Sequence, residues 1–256
     1  MTKKVDFKGS VILNPVPVVL ITSKNKEGKE NVFTVAWTGT VCTKPPMLSI
    51  SVRPERLSYE YIKETMEFTV NLPNSKMTKA VDYCGVKPGR KFDKIKEMNF
   101  TMKAGTNIDV PYIVECPISI ECKVKSIIPL GTHDLIIADV VGSHVDASLM
   151  DEKGKIHFEE ADLITYCHGE YYKMDKYPLG KFGYSVAKKS VEVKTPTPTK
   201  EKITESELEK EKLLSKNKVK KNSNTNSKFS NLSRKRTTSK SKSKTKKNSF
   251  NRKTTK

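Results

Sequence analysis

Residues 31–62 read NVFTVAWTGTVCTKPPMLSISVRPERLSYEYI, and the fold is decided in this stretch. It opens with a strand-like run of small hydroxyl and apolar residues that carries the only tryptophan, Trp37. Pro45 and Pro46 break the run, after which Leu48-Ser-Ile-Ser-Val52 alternates with the period of a strand. A turn with two guanidinium groups, Arg53 and Arg56, then opens a helix at Leu57-Ser58. Hydroxyls, arginines and helix-start N–H groups suit a phosphate. A nearby tryptophan suits a planar ring.

Working outward, period-two patterning dominates the first 190 residues. Residues 16–23 form an apolar run expected to be a strand buried on both sides, and a glycine-bearing turn leads into a strand over 31–42. Further strands are expected over 47–52, 68–72, 118–124, 134–141 and 162–167. Short helices are expected over 57–66, with Leu57, Tyr61, Ile62 and Met66 on one face, and over 75–84 and 91–98. There is no regular strand–helix alternation, no GxGxxG and no GxxxxGK[ST], so Rossmann and P-loop readings lose their main support. Many antiparallel strands with long excursions point to a closed Greek-key barrel, which also removes exposed sheet edges.

The charge is unevenly placed. Of the formal net +19, residues 191–256 contribute +15, from 21 Lys+Arg against 6 Asp+Glu, and residues 1–190 contribute +4. The domains are therefore expected to be a nearly neutral folded part over 1–190 and a disordered Lys/Ser-rich basic tail over 191–256. The tail begins with a stiff TPTPTK linker, followed by a marginal amphipathic segment over 203–214. Five cysteines without a CxxC pair favour neither a disulfide framework nor zinc, and read as buried thiols of a reducing compartment. The first ten residues lack the apolar core of a signal peptide, and no apolar run approaches the ~20 residues that span a bilayer. The expectation is a soluble cytoplasmic protein with no membrane contact.

The motifs NVFTVAWTGT, PPMLSISVRPERLSYEYI, EFTVNLP, DYCGVKPGRKFDK, GTHDLIIADVV and YCHGEYY…LGKFGYSV occur in order from about residue 14 to residue 186. Together they resemble the flavin reductase-like FMN-binding split-barrel family, most closely its flavoredoxin branch. The resemblance implies a mainly β fold: a six-stranded antiparallel Greek-key split β-barrel with a few short helices, working as a homodimer with one FMN per subunit. It places Asn31, Thr34, Ala36 and Trp37 along the flavin, and Ser51, Arg53, Arg56 and Ser58 at its ribityl phosphate. Lys91 and His133 approach the flavin or its phosphate, with Tyr166, His168 and Phe182 carried over from the last motif.

Each assignment has a plain structural alternative: Trp37 as a core residue, Arg53 paired with Glu55 or Asp93, Ser51 facing outward, His133 in a solvated loop, Cys84 as packing. The implied activity is an FMN-binding oxidoreductase passing electrons from NAD(P)H through FMN to a redox partner protein or small-molecule acceptor, with no residue required as acid or base. Two alternatives stay open. One is a flavoredoxin-type electron carrier that does not oxidise NAD(P)H directly. The other is a nucleic-acid-associated protein that binds phosphate backbones non-specifically through its tail. Pyridoxamine-phosphate oxidase-like and heme-handling split barrels match the AWTGT and SVRPERLSY motifs less well.

Overall fold

The computed structural model describes residues 2–187. The basic tail expected over 191–256 lies outside the described residues.

Strands β1 (Val16–Pro17), β2 (Val19–Lys24), β3 (Glu30–Val35), β4 (Thr38–Thr43) and β5 (Pro46–Val52) come first. Helix α1 (Leu57–Thr65), strand β6 (Glu67–Leu72), and helices α2 (Thr78–Val86) and α3 (Lys94–Glu97) follow. The two-residue strands β7 (Met102–Lys103) and β8 (Tyr112–Ile113) precede two twelve-residue strands, β9 (Ile118–Pro129) and β10 (Asp134–Val145). Strands β11 (Ile164–Cys167) and β12 (Glu170–Lys173) close the list.

Seven strands form one antiparallel sheet in the order β3-β2-β6-β9-β10-β5-β4. The expected count was six. The difference arises at Ala36-Trp37, where the run read as one strand over 31–42 turns a corner and becomes two. Before the corner β3 pairs with β2; after it β4 pairs with β5. Because β3 and β4 lie at opposite ends of the sheet yet are consecutive in the chain, this corner closes the barrel covalently. The corner is fastened by the Ser51 N–H, which donates to the Trp37 carbonyl at 2.8 Å. A propensity pattern cannot reveal the break, since Val35-Ala36-Trp37 continues the apolar run without a glycine or proline.

The barrel interior is filled by Val19, Ile21, Phe33, Val35, Ile50, Ile62, Phe68, Val70 and Ile136, among others. A second cluster forms outside the barrel wall, where Val18, Leu20 and Val32 meet Val81 and Cys84 of α2, together with Ile113 and Ile164. Strand β2 thus has apolar neighbours on both faces, as its leading run Val19-Leu-Ile21 suits. Truncating Phe68, which is fully buried, would cost about 3–5 kcal/mol in lost transfer energy and cavity.

Two buried polar groups hold the loops over the barrel. Asn71 accepts from the Ile113 N–H at 2.9 Å and from the Ser119 hydroxyl at 2.8 Å, pinning β8. Glu121, fully buried on β9, accepts from the Thr106 N–H at 2.6 Å and the Asn107 N–H at 2.9 Å. It also meets the Asn107 side-chain amide and His144 Nε2, each at 2.8 Å. Burial alone would raise the Glu121 carboxyl, but these bonds outweigh it and bring the pKa down to about 2.

Candidate functional site

The split in the barrel wall beside Ala36-Trp37 is where the polar residues of the opening stretch gather. One wall is Phe33 to Trp37; the other is Ser51, Val52 and Arg53, with Arg56 and His133 completing a hollow of about 280 Å³. His133 stands one step past the Asp134–Val52 pair of the β10–β5 ladder, so register alone sets it opposite Arg53. Trp37 is 39% exposed, so it is not a core tryptophan.

A second hollow of about 320 Å³ adjoins the first, sharing Phe33, Thr34 and Arg56. Its other walls are Asn31, Ser58, the Cys84-Gly85 end of α2, the turn over residues 87–90, and Lys94. The turn comes close because Gly89 lacks a side chain: a Cβ there would sit 2.5 Å from Asn31 Oδ1. Asn31 in turn is held by donating to the Ser58 hydroxyl at 2.7 Å, and Ser58 also accepts from Ser23 at 2.8 Å. Thr34 donates its hydroxyl to the Val81 carbonyl at 2.5 Å, so that proton serves the packing of α2 on β3.

Cations outnumber acids in the lining, where Glu55 is the one carboxylate beside Arg53, Arg56, Lys87, Arg90 and Lys94. Arg53 contacts Glu55 at 3.3 Å, an exposed pair of the kind that contributes little. Arg90 pairs with Glu60. The Arg56 guanidinium has no hydrogen-bond or ion-pair partner among the described residues. Lys94 is 3% exposed, and among the described residues its ammonium has one partner, the Cys84 carbonyl at 3.2 Å, and no carboxylate. Burial lowers its pKa from 10.5 to about 8; Cys84 nearby opposes the shift and Arg56 adds to it. The Cys84 thiol is pushed up to about 11 by burial, which keeps it protonated and unreactive at neutral pH. A groove with such uncompensated cations attracts an anionic ligand.

Of the residues singled out in the sequence, Asn31, Thr34, Ala36, Trp37, Ser51, Arg53, Arg56, Ser58 and His133 line the two hollows. Three do not. Lys91 is exposed in the turn before α3, where its N–H bonds the Pro88 carbonyl. The lysine that reaches the groove is Lys94, three residues on, and sequence reasoning missed it. Asp93 caps α3 by accepting from the Lys96 N–H, and the helix it starts turns Lys94 inward. Tyr166 packs on the outer cluster with Tyr171, ring centres 5.6 Å apart. Phe182 is fully exposed. His168 occupies the positive-φ turn between β11 and β12 and also lines neither hollow.

A small antiparallel barrel, split along one wall and carrying a cationic groove lined also by Phe33 and Trp37, defines a class of split barrels with an anion-attracting groove. The flavin reductase like domain family matches residues 13–175, and the chain belongs to that family. An uncharacterised protein of Archaeoglobus fulgidus is 30% identical over 148 residues, 57% of this chain and 82% of that protein. Among solved structures, the flavoredoxin from Methanosarcina acetivorans is 28% identical, covering 73% of this chain and all of that one with a TM-score of 0.66. The flavoredoxin of Desulfovibrio vulgaris (Miyazaki F) is 25% identical, covering 72% of this chain and all of that one with a TM-score of 0.67.

Proposed function

We propose that the protein is an FMN-binding oxidoreductase whose flavin occupies the two adjoining hollows, with NAD(P)H as electron donor. The observation that carries this reading is the convergence, in a flavin reductase-like barrel, of Trp37, Arg53, Arg56, His133 and the counterion-free Lys94 on one groove. The donor set fits a phosphorylated flat ligand: guanidinium groups for a phosphate, an indole for a planar electron-poor ring, and a cation for the negative charge that ring gains on reduction. When bound, the flavin supplies hydride acceptance and onward electron delivery.

The chain's own residues bind, orient and set charge. Arg53 and Arg56 grip the phosphate beside Ser51, while Asn31 and Ser58 brace the wall behind them. Backbone N–H groups near the Ala36-Trp37 corner and the Lys94 ammonium favour negative charge on the ligand. No side chain in the groove is required to move a proton, so catalysis is by proximity and orientation.

The two flavoredoxin structures favour a second reading, an electron carrier that does not meet pyridine nucleotide. Anaerobic mixing of FMN-loaded protein with NADH or NADPH separates the two. Bleaching of the yellow band supports the reductase, and a band that bleaches only with a reduced partner protein supports the carrier. Protein that stays colourless and refuses added FMN sinks both.

The exposed Trp37 and Val41 lie at and just beyond the barrel corner, and Phe7, Ile12, Leu13, Leu179 and Phe182 are also exposed. These exposed apolar side chains are suited to covering by a second copy, and we propose a homodimer, to be measured by analytical ultracentrifugation. Five free thiols suit a reducing compartment and support a cytoplasmic location. No helix among the described residues is long and apolar enough to cross a membrane.

A further inference from the structure

The turn bearing the two arginines is closed at both ends on a single residue. At its start, Val52 pairs with Asp134 in the β5–β10 ladder. At its end, the Tyr59 hydroxyl donates to Asp134 Oδ2 at 2.5 Å. Both partners are buried, Tyr59 at 8% and Asp134 at 7% exposure. Among the described residues this is the one side-chain hydrogen bond between α1 and the β9–β10 hairpin. Donating to the Asp134 carboxylate raises the Tyr59 pKa, and burial adds to the rise.

Within the closed turn the backbone is also tied, the Arg56 N–H to the Arg53 carbonyl and the Tyr59 N–H to the Arg56 carbonyl, each at 3.0 Å. On the facing side, the Leu130 N–H donates to the His133 carbonyl at 3.0 Å, fixing the hairpin just before Asp134. Arg53, Arg56 and His133 therefore belong to one unit locked at Asp134, though they come from two elements far apart in sequence. Closing a turn at both ends removes the chain freedom that a ligand would otherwise have to freeze out.

We propose that Tyr59 and Asp134 are positioning residues: their hydrogen bond holds the Arg53–Arg56 turn and His133 at the spacing that receives a phosphate group. Neither side chain lines the groove, so neither touches the ligand; they act through the arginines and the histidine. The inference rests on the flavin nucleotide reading for the identity of the ligand, and on the two hydrogen-bonded closures for the mechanism.

The test compares FMN with riboflavin, which lacks the phosphate, in the full chain. Tyr59→Phe removes only the hydroxyl; Asp134→Ala removes the bond without leaving a buried charge alone; Asp134→Asn retains an acceptor. Dissociation constants come from flavin fluorescence, and those for inorganic pyrophosphate from the emission of Trp37. Losing one hydrogen bond to a charged group should weaken FMN by roughly tenfold in Tyr59→Phe, with riboflavin changed by less than about twofold. Asp134→Asn should keep the preference of the wild type for FMN.

Equal loss of both flavins, unchanged FMN affinity, or Asp134→Asn losing the preference as fully as Asp134→Ala would each overturn the proposal. If Tyr59→Phe does not fold, Asp134→Ala carries the same comparison. If the wild type binds neither flavin, the flavin reading falls by itself and pyrophosphate decides. Weaker pyrophosphate binding in Tyr59→Phe then upholds the closure, whereas equal binding, or none to the wild type, refutes it.

Discussion

Replacing Lys94 with methionine should make the flavin-free protein more stable and its ligand affinity worse. The ammonium is 3% exposed with a single hydrogen bond, so its charge is a liability until an anion arrives. A pKa lowered from 10.5 to about 8 corresponds to about 3 kcal/mol against the charged form. Methionine has similar length and no charge, but it abandons the bond to the Cys84 carbonyl, worth about 1 kcal/mol. The net gain is about 2 kcal/mol, or a rise in Tm of roughly 4–8 °C for a domain of this size.

The pH dependence supplies an independent check. In the wild type between pH 8 and 10.5 the unfolded lysine holds its proton while the folded one has released it, so stability rises with pH across that window. Lys94→Met should lack this rise. Differential scanning calorimetry of the flavin-free protein at several pH values reads both effects, and flavin titration reads the affinity. A variant that melts lower than the wild type yet binds FMN equally well would refute the reasoning. Lys94 would then be a satisfied structural residue.

Arg53→Ala should weaken FMN binding by about tenfold or more, the size of one charge-assisted bond to phosphate, as measured by fluorescence titration. Glu121→Gln replaces a carboxylate that accepts from three residues with an amide, half of which opposes those donors; we expect a loss of about 2–4 kcal/mol, lowering Tm by roughly 5–15 °C. Because the folded pKa of Glu121 is depressed to about 2 from 4.5, its stabilisation is complete above pH 4.5 and is lost as the pH falls towards 2. Acid unfolding of Glu121→Gln should be flatter across that range. Truncation before Val191 should leave FMN affinity unchanged while abolishing any salt-sensitive DNA retention on a gel; unfolding of the truncated protein would place the domain boundary elsewhere.

Much of the barrel was legible because apolar and polar residues alternate along its strands, even where the polar members Thr69, Asn71, Ser119 and Glu121 are buried beneath loops. Residues 48–52, 68–72 and 118–124 each carry the pattern and each proved to be a ladder strand. The largely apolar run over 16–23 was readable as a strand covered on both faces where it forms β2, but the chain makes two strands of it: β1 pairs with β11, and β2 with β3 and β6. What failed was whatever depends on partners rather than on local pattern. The corner at Ala36-Trp37 is set by a change of neighbour from β2 to β5, which nothing in those two residues announces. The strands β7 and β8 have two residues each and exist because Asn71 pins the second of them. In the segment GRKFDK two lysines three residues apart offered the same chemistry, and only the path of α3 selects Lys94. Of the predicted residues that line the groove, all but His133 come from the opening stretch, which supplies both walls of the first hollow.

The covalent corner between β3 and β4 has a topological consequence. Along that seam the cylinder is joined by peptide links where other strand pairs share a ladder, and helix α1 straps it a second time, bonded to Asn31 of β3 through Ser58 and to Asp134 of β10 through Tyr59. A circular permutant with new ends between Ala36 and Trp37 would keep every rung of the seven-stranded sheet and rely on that strap and on the shared core to stay closed.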